Sequence, residues 1–153
     1  ARLFLDAEPY AALLPHASLA RVVPYVLCTA LVSASLTLGV VAGHRRDAAA
    51  ALPIQIALLL ATLFMVAPLS WEHHLVFVLP VALLALQRAV EPGECRVWLV
   101  VVVLSAVVLA WDLPLESPEI ASGIWTLGIS IKLYAVFALW LYTARSALQR
   151  ATG

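Results

Sequence analysis

Ser70, Trp71, Glu72, His73 and His74 stand in a row between two long apolar runs. A carboxylate and two imidazoles are costly beside hydrocarbon, and such groups are usually kept there for function. Imidazole titrates near neutral pH, so a histidine at this position can accept a proton or donate a hydrogen bond to a substrate. Glu72 can orient a histidine or serve as a base itself. Successive helical residues point about 100° apart, so His73 and His74 are badly placed to share one metal ion, which favours i, i+4 spacing. Zinc or haem ligation is therefore not expected, and no other cofactor is. The diverging pair suits one ring facing a polar cavity and the other facing a neighbouring helix or water. If the stretch opens a helix, its free first-turn N–H groups also suit a lipid phosphate. Glu72 is favoured there by the helix dipole whether or not it reacts. A second reading stays open, a polar turn at the membrane interface with Trp71 as an aromatic anchor.

Three more residues could join such a site. Lys132 has two possible depths. If the last helix starts near Ser122, Lys132 lies near mid-bilayer and must be paired or hydrated. If it starts near Gly128, Lys132 is one turn in and can snorkel to the surface. The shallow placement is preferred, because residues 133–142 continue apolar and Tyr134 suits an interface. There Lys132 is either an anchor or a cation for a phosphate on the same face as His73 and His74. His16 and Arg21, with Ser18 between them, either line the same cavity mouth or anchor the chain at the surface. The candidate set is thus Glu72, His73 and His74 for catalysis, with Ser70, Trp71, Lys132, His16 and Arg21 for substrate binding.

The elements that must position these groups follow from composition. Hydrophobic residues make up 64% and charged residues 12%; a soluble domain is nearer half apolar and a quarter charged. Nine acidic and nine basic residues cancel, so net charge points to no partner, and nucleic acid is not expected as one. Apolar runs cover 22–42, 48–69, 75–89, 97–111 and 126–143, the last starting at Ile124 or Ile129 and ending at Thr143. A bilayer core needs about 20 helical residues, and backbone groups in lipid must bond within their own segment. The expected fold is all-α, a polytopic transmembrane bundle of about five spans. Pro24, Pro53 and Pro80 are expected near helix ends or in first turns, where a missing N–H costs least. Pro68 is expected to help end the second helix. Tyr25, Trp98, Trp111, Trp125, Trp140 and Tyr142 are expected as interfacial belt residues.

Loop arginines set the orientation. Arg45, Arg46, Arg88, Arg96, Arg145 and Arg150 all fall on one face if every run spans, and that face should be cytoplasmic. Residues 70–74 then face outward, together with the acidic loop holding Asp112, Glu116 and Glu119. The chain is expected to be an integral, multi-pass plasma-membrane protein with a cytoplasmic C-terminus, in contact with membrane lipid. Cys28 and Cys95 fall at different depths, so no disulfide is expected between them. The chain starts at Ala1 without a signal-peptide layout, and an odd number of spans suits the C-terminal part of a longer protein.

Pro68-Leu69-Ser70-Trp71-Glu72-His73-His74-Leu75-Val76 resembles glycosyltransferase family 87, bacterial polytopic mannosyltransferase-like proteins. Members carry a Pro-x-Ser-Trp-x-His-His stretch, often followed by a short apolar run and a proline, as Val76-Phe77-Val78-Leu79-Pro80 is here. His16-Ala17-Ser18 is similar to a polar loop that in the family often reads Asn-Gln-Ser. The resemblance implies the C-terminal part of a GT-C-like fold. It also implies a polyprenyl-phosphate sugar donor, commonly mannose, a lipid or glycan acceptor, and inverting transfer on the outer face. In that superfamily the base is usually a carboxylate in the first large outer loop, a region this chain does not contain. The chain would then supply part of the donor pocket and be inactive alone. Rival readings are a transporter or lipid-flippase half in which His73 and His74 relay protons, and an assembly subunit with no chemistry.

Overall fold

Long apolar runs that lack turn residues leave the backbone to satisfy its own hydrogen bonds, and this chain does so in helices. The computed structural model describes residues 17–66, 76–111 and 131–149. Five helices occupy them: α1 (Ala17–Arg45), α2 (Ala48–Val66), α3 (Leu79–Ala89), α4 (Arg96–Ala110) and α5 (Ile131–Leu148). A 3₁₀ turn over 76–78 leads into α3, and no strand occurs among the described residues.

Short connections fix which helices pair. Only Arg46 and Asp47 separate α1 from α2. Asp47 starts α2 by accepting the Ala50 N–H at 3.0 Å, which satisfies one of the donors a helix start leaves over. Between α3 and α4 the Glu94 N–H donates to the Glu91 carbonyl at 3.2 Å, closing a turn around Pro92 and Gly93. Gly93 has φ 95°, a conformation open to glycine and strained for any side chain. Both links are tight enough to make antiparallel pairs.

α5 lies at the centre. It contacts each of the other four helices, while α1, α2, α3 and α4 follow one another around it. From its second turn on it is largely buried, at Ala135, Val136, Leu139, Trp140, Tyr142, Thr143, Ala144, Ser146 and Ala147. Ile54 and Leu58 of α2, Val81 of α3 and Val102 of α4 complete the core. α1 and α2 meet closely along small residues. Gln55 Nε2 donates to the Gly39 carbonyl at 2.9 Å, and a Cβ at Gly43 would come within 3.2 Å of the same nitrogen. Close approach at small residues spaced by four is a common mode of helix association where hydrocarbon surrounds the pair.

A buried polar group joins three helices. Ser35 and Thr62 hydroxyls lie 2.6 Å apart, and the Trp140 indole N–H donates to Ser35 Oγ at 2.8 Å. The polar atoms of these three side chains thereby have partners, and together they fix the rotation of α1, α2 and α5. The expectation of belt residues at Trp140 and Tyr142 is corrected. They are 7% and 0% exposed, because both face the neighbouring helices from the centre of the arc. Tyr25 and Trp111 do lie exposed on the outside.

Helix bounds depart from the apolar runs at both ends of α1, at the start of α3, which lies at Leu79 and so is not opened by Glu72–His74, and at the end of α5. α1 begins at Ala17, which puts Pro24 in its interior rather than its first turn. Pro53 is likewise inside α2, while Pro80 takes a first-turn position of α3, where its missing N–H is not needed. α5 continues past Thr143 to Leu148; Arg145 does not stop it, because its charge is met by a partner described below. Two helices, Val22–Arg45 and α2, are long and apolar enough to cross a membrane. α3 has 11 residues and α4 has 15, short of the roughly 20 a crossing takes. Large apolar side chains cover the outside, among them Val22, Tyr25, Leu27 and Leu36 of α1 and Leu59 and Leu63 of α2.

Candidate functional site

The bundle has two ends. At one of them the connections α1–α2 and α3–α4 meet the C-terminus of α5. The last carbonyls of a helix have no intrahelical donors and carry the negative end of its dipole. Here arginines from the α1–α2 link supply both donors and charge. Arg46 Nη2 donates to the carbonyls of Ser146 at 2.9 Å and Gln149 at 3.3 Å, and Arg45 Nη1 donates to that of Leu148. Arg145 pairs with Glu94, Nη1 to Oε2 2.7 Å, and Gln149 Nε2 donates to the other Glu94 oxygen at 3.2 Å. The Arg145 guanidinium also lies 5.7 Å from the centre of the Trp98 ring, which leans on Tyr142 at 5.4 Å. Burial pushes the Glu94 carboxyl up. The hydrogen bonds from Arg145 and Gln149, the Arg145 charge and the Cys95 backbone outweigh it and hold the group below its ordinary value. Burial and then the charge of Arg88 lower the pKa of Arg46, against the pull of Glu91.

The opposite end follows from the helix directions. α2 leaves the arginine end and finishes at Val66; the 3₁₀ turn ahead of α3, the start of α1 and the start of α5 lie at the same far end. Residues 67–75, between Val66 and that turn, carry the Ser-Trp-Glu-His-His stretch. Ser70, Trp71, Glu72, His73, His74 and His16 lie outside the described residues. Arg21 falls in the second turn of α1, where only its backbone is described. Lys132 is the second residue of α5 and is half-buried. The helix starts that hold Arg21 and Lys132 therefore share an end with the two described flanks of 67–75. Among the described residues no group of three or more His, Cys, Asp or Glu side chains could hold a metal ion.

Sequence reading did not single out the contacts at the arginine end. It saw the arginines as a signal of orientation, not as caps for α5. A signal was present: Arg45-Arg46-Asp47 is a short link whose two cations have no acidic neighbour beyond Asp47 in sequence. Comparisons with family models, with curated proteins and with solved structures find no match to this chain.

Proposed function

We propose that this chain is part of an integral-membrane glycosyltransferase of the GT-C type, moving a sugar, mannose first among candidates, from a polyprenyl-phosphate donor to a lipid or glycan acceptor. The observation that carries the reading is the separation of the two ends. The loop arginines gather at one end of the bundle. Lys132 and the flanks of the Ser-Trp-Glu-His-His stretch are at the other. With the arginines cytoplasmic, that stretch faces the outer aqueous phase, where a polyprenyl-phosphate sugar can be met. The resemblance of residues 68–76 to family 87 and the two membrane-length helices point the same way.

In this reading the donor phosphate docks at free N–H groups of the 3₁₀ turn over 76–78 that leads into α3, with Lys132 as a cation and Ser70, Trp71, His16 and Arg21 as lining. His73 or His74 hydrogen-bonds the acceptor hydroxyl or takes its proton, and Glu72 orients the ring. A carboxylate elsewhere in the full-length protein completes the inverting displacement. The test is transfer from a polyprenyl-phosphate mannose by full-length protein carrying His73→Ala and His74→Ala together. The rate should fall at least about tenfold, which is about 1.4 kcal/mol of transition-state stabilisation. A double variant that inserts, folds and transfers at full rate makes the stretch an interface turn.

One observation favours a second reading. Pro24 and Pro53 lie inside α1 and α2, which run on unbroken through them, and a proline within a hydrophobic segment is a position where transporter helices can open. A transporter half with a histidine proton relay would show pH-gradient-dependent lipid or solute movement without any transfer of sugar.

A further inference from the structure

At the arginine end, three buried donors have no acceptor. Arg46 Nε, Arg88 Nε and the Tyr142 hydroxyl are all inaccessible to solvent and unpartnered. Buried donors of this kind are rare, and each calls for a bound water, an ion or a ligand. Two of the three belong to cations that repel each other: Arg88 acts electrostatically on Arg46, and also on Tyr142. Two of the carboxylates nearby are engaged: Glu94 is taken by Arg145 and Gln149 and Asp47 caps α2. Glu91 is exposed, and its charge acts on both Arg46 and Tyr142 without a hydrogen bond to either. Arg46 spends its Nη2 on α5 carbonyls. Of the half-buried arginines described at this end, Arg46, Arg88 and Arg145, Arg88 is the one that neither pairs with a carboxylate nor caps a helix.

A water could satisfy one donor, but it would bring no counter-charge to Arg46 and Arg88, whose charges act on each other. An anion with several acceptor oxygens satisfies the donors and the charge together, and arginine's planar fork matches phosphate well. We propose that Arg88 and Arg46, with the Tyr142 hydroxyl, form a phosphate-binding site at the arginine end of the bundle, the end opposite the described flanks of residues 67–75. The phosphate comes either from the headgroup of an anionic phospholipid or from solution; basic pockets between helices on the cytoplasmic side are known to take such headgroups. The site does not depend on the glycosyltransferase reading.

The experiment uses the full-length protein in two arms. In the first, the protein in neutral detergent is titrated with inorganic phosphate and its unfolding midpoint followed. In the second, it is taken from nanodiscs of phosphatidylglycerol and the lipid retained is counted by native mass spectrometry. Arg88→Gln should weaken the response about tenfold in whichever arm responds. Arg88→Lys should keep part of it. Arg96→Gln, an exposed arginine at the same end, should change nothing. A response only to phosphatidylglycerol identifies a lipid site, and a response to both identifies a site open to solution. Should Arg88→Gln fail to fold, Tyr142→Phe removes only the hydroxyl and should lower retention two- to threefold, an order-of-magnitude expectation of about one hydrogen bond. Equal binding by wild type and Arg88→Gln, or an equal loss in Arg96→Gln, overturns the site.

Discussion

The two ends of this bundle are built on different principles. At the arginine end, side chains from two separate segments close on the C-terminus of α5, and nearly every contact is between a charge and a carbonyl or a carboxylate. At the other end the sequence places a carboxylate, two histidines and a lysine close to helix starts. The first arrangement spends its charges on each other. The second draws its charges from segments that take no part in those contacts. A fold held together at one end is free to carry chemistry at the other, because the residues that close the bundle are not the ones that would meet a substrate.

That contrast can be broken in order of expected effect. Arg46→Ala should be the most damaging change at the arginine end. It strands the Ser146 and Gln149 carbonyls at a part-buried helix terminus, and the loss should be about 2 kcal/mol in an unfolding titration of the detergent-solubilised protein. Arg96→Ala, exposed at the same end, should stay within about 0.5 kcal/mol of wild type. If both cost the same, the arginines act as a diffuse charge and not as caps.

Glu94→Gln should cost less, about 1–2 kcal/mol, since the amide keeps one acceptor for Arg145 or Gln149. Its sharper signature is in pH. The folded state holds the Glu94 carboxyl below its ordinary value, so the stabilisation is fully present above the unfolded value of about 4.3. It is lost as pH falls through the lower folded value. Wild type should therefore lose stability on acidification below about pH 4.3, and Glu94→Gln should lose less over that range.

At the other end the smallest effect is expected and it is kinetic. Lys132→Met keeps the apolar stem and removes the charge, and should raise the apparent KM for a polyprenyl-phosphate donor about fivefold. Lys132→Arg should recover part of it. A lysine that only snorkels predicts near-normal kinetics in both.

Much of the helical layout was legible in the sequence, and particular residues show why. Apolar runs bounded by arginines and prolines mark helices, and the spacing of Arg45, Arg46, Arg88 and Arg145 by helix-length segments brings them to one end. The start of α1 was not legible. Pro24 reads as a first-turn residue, yet the helix runs on to Ala17 because one lost N–H does not end a helix whose other bonds are intact. The extent of α5 was hidden for the opposite reason. Arg145 reads as a helix-ending charge, and only the fold brings Glu94 to it. Trp140 and Tyr142 read as interfacial aromatics, since sequence gives their distance along the helix but not their rotation about it. Their partners Ser35, Thr62 and Trp98 lie far away in the chain. Of the candidate site, sequence supplied the residue types, and the described structure adds the end of the bundle at which Lys132 and the flanks of 70–74 lie.

The most direct test of the two-ended account is the side of the membrane each end faces. Cys95 caps the start of α4 at the arginine end and is exposed, while Ser117 lies in the acidic loop assigned to the other side. With Cys28 replaced by Ala, a membrane-impermeant maleimide applied to intact cells should leave Cys95 unlabelled until the membrane is permeabilised. It should label Ser117→Cys at once. Labelling of Cys95 in intact cells, with Ser117→Cys protected, would put the arginine end outside and contradict the account.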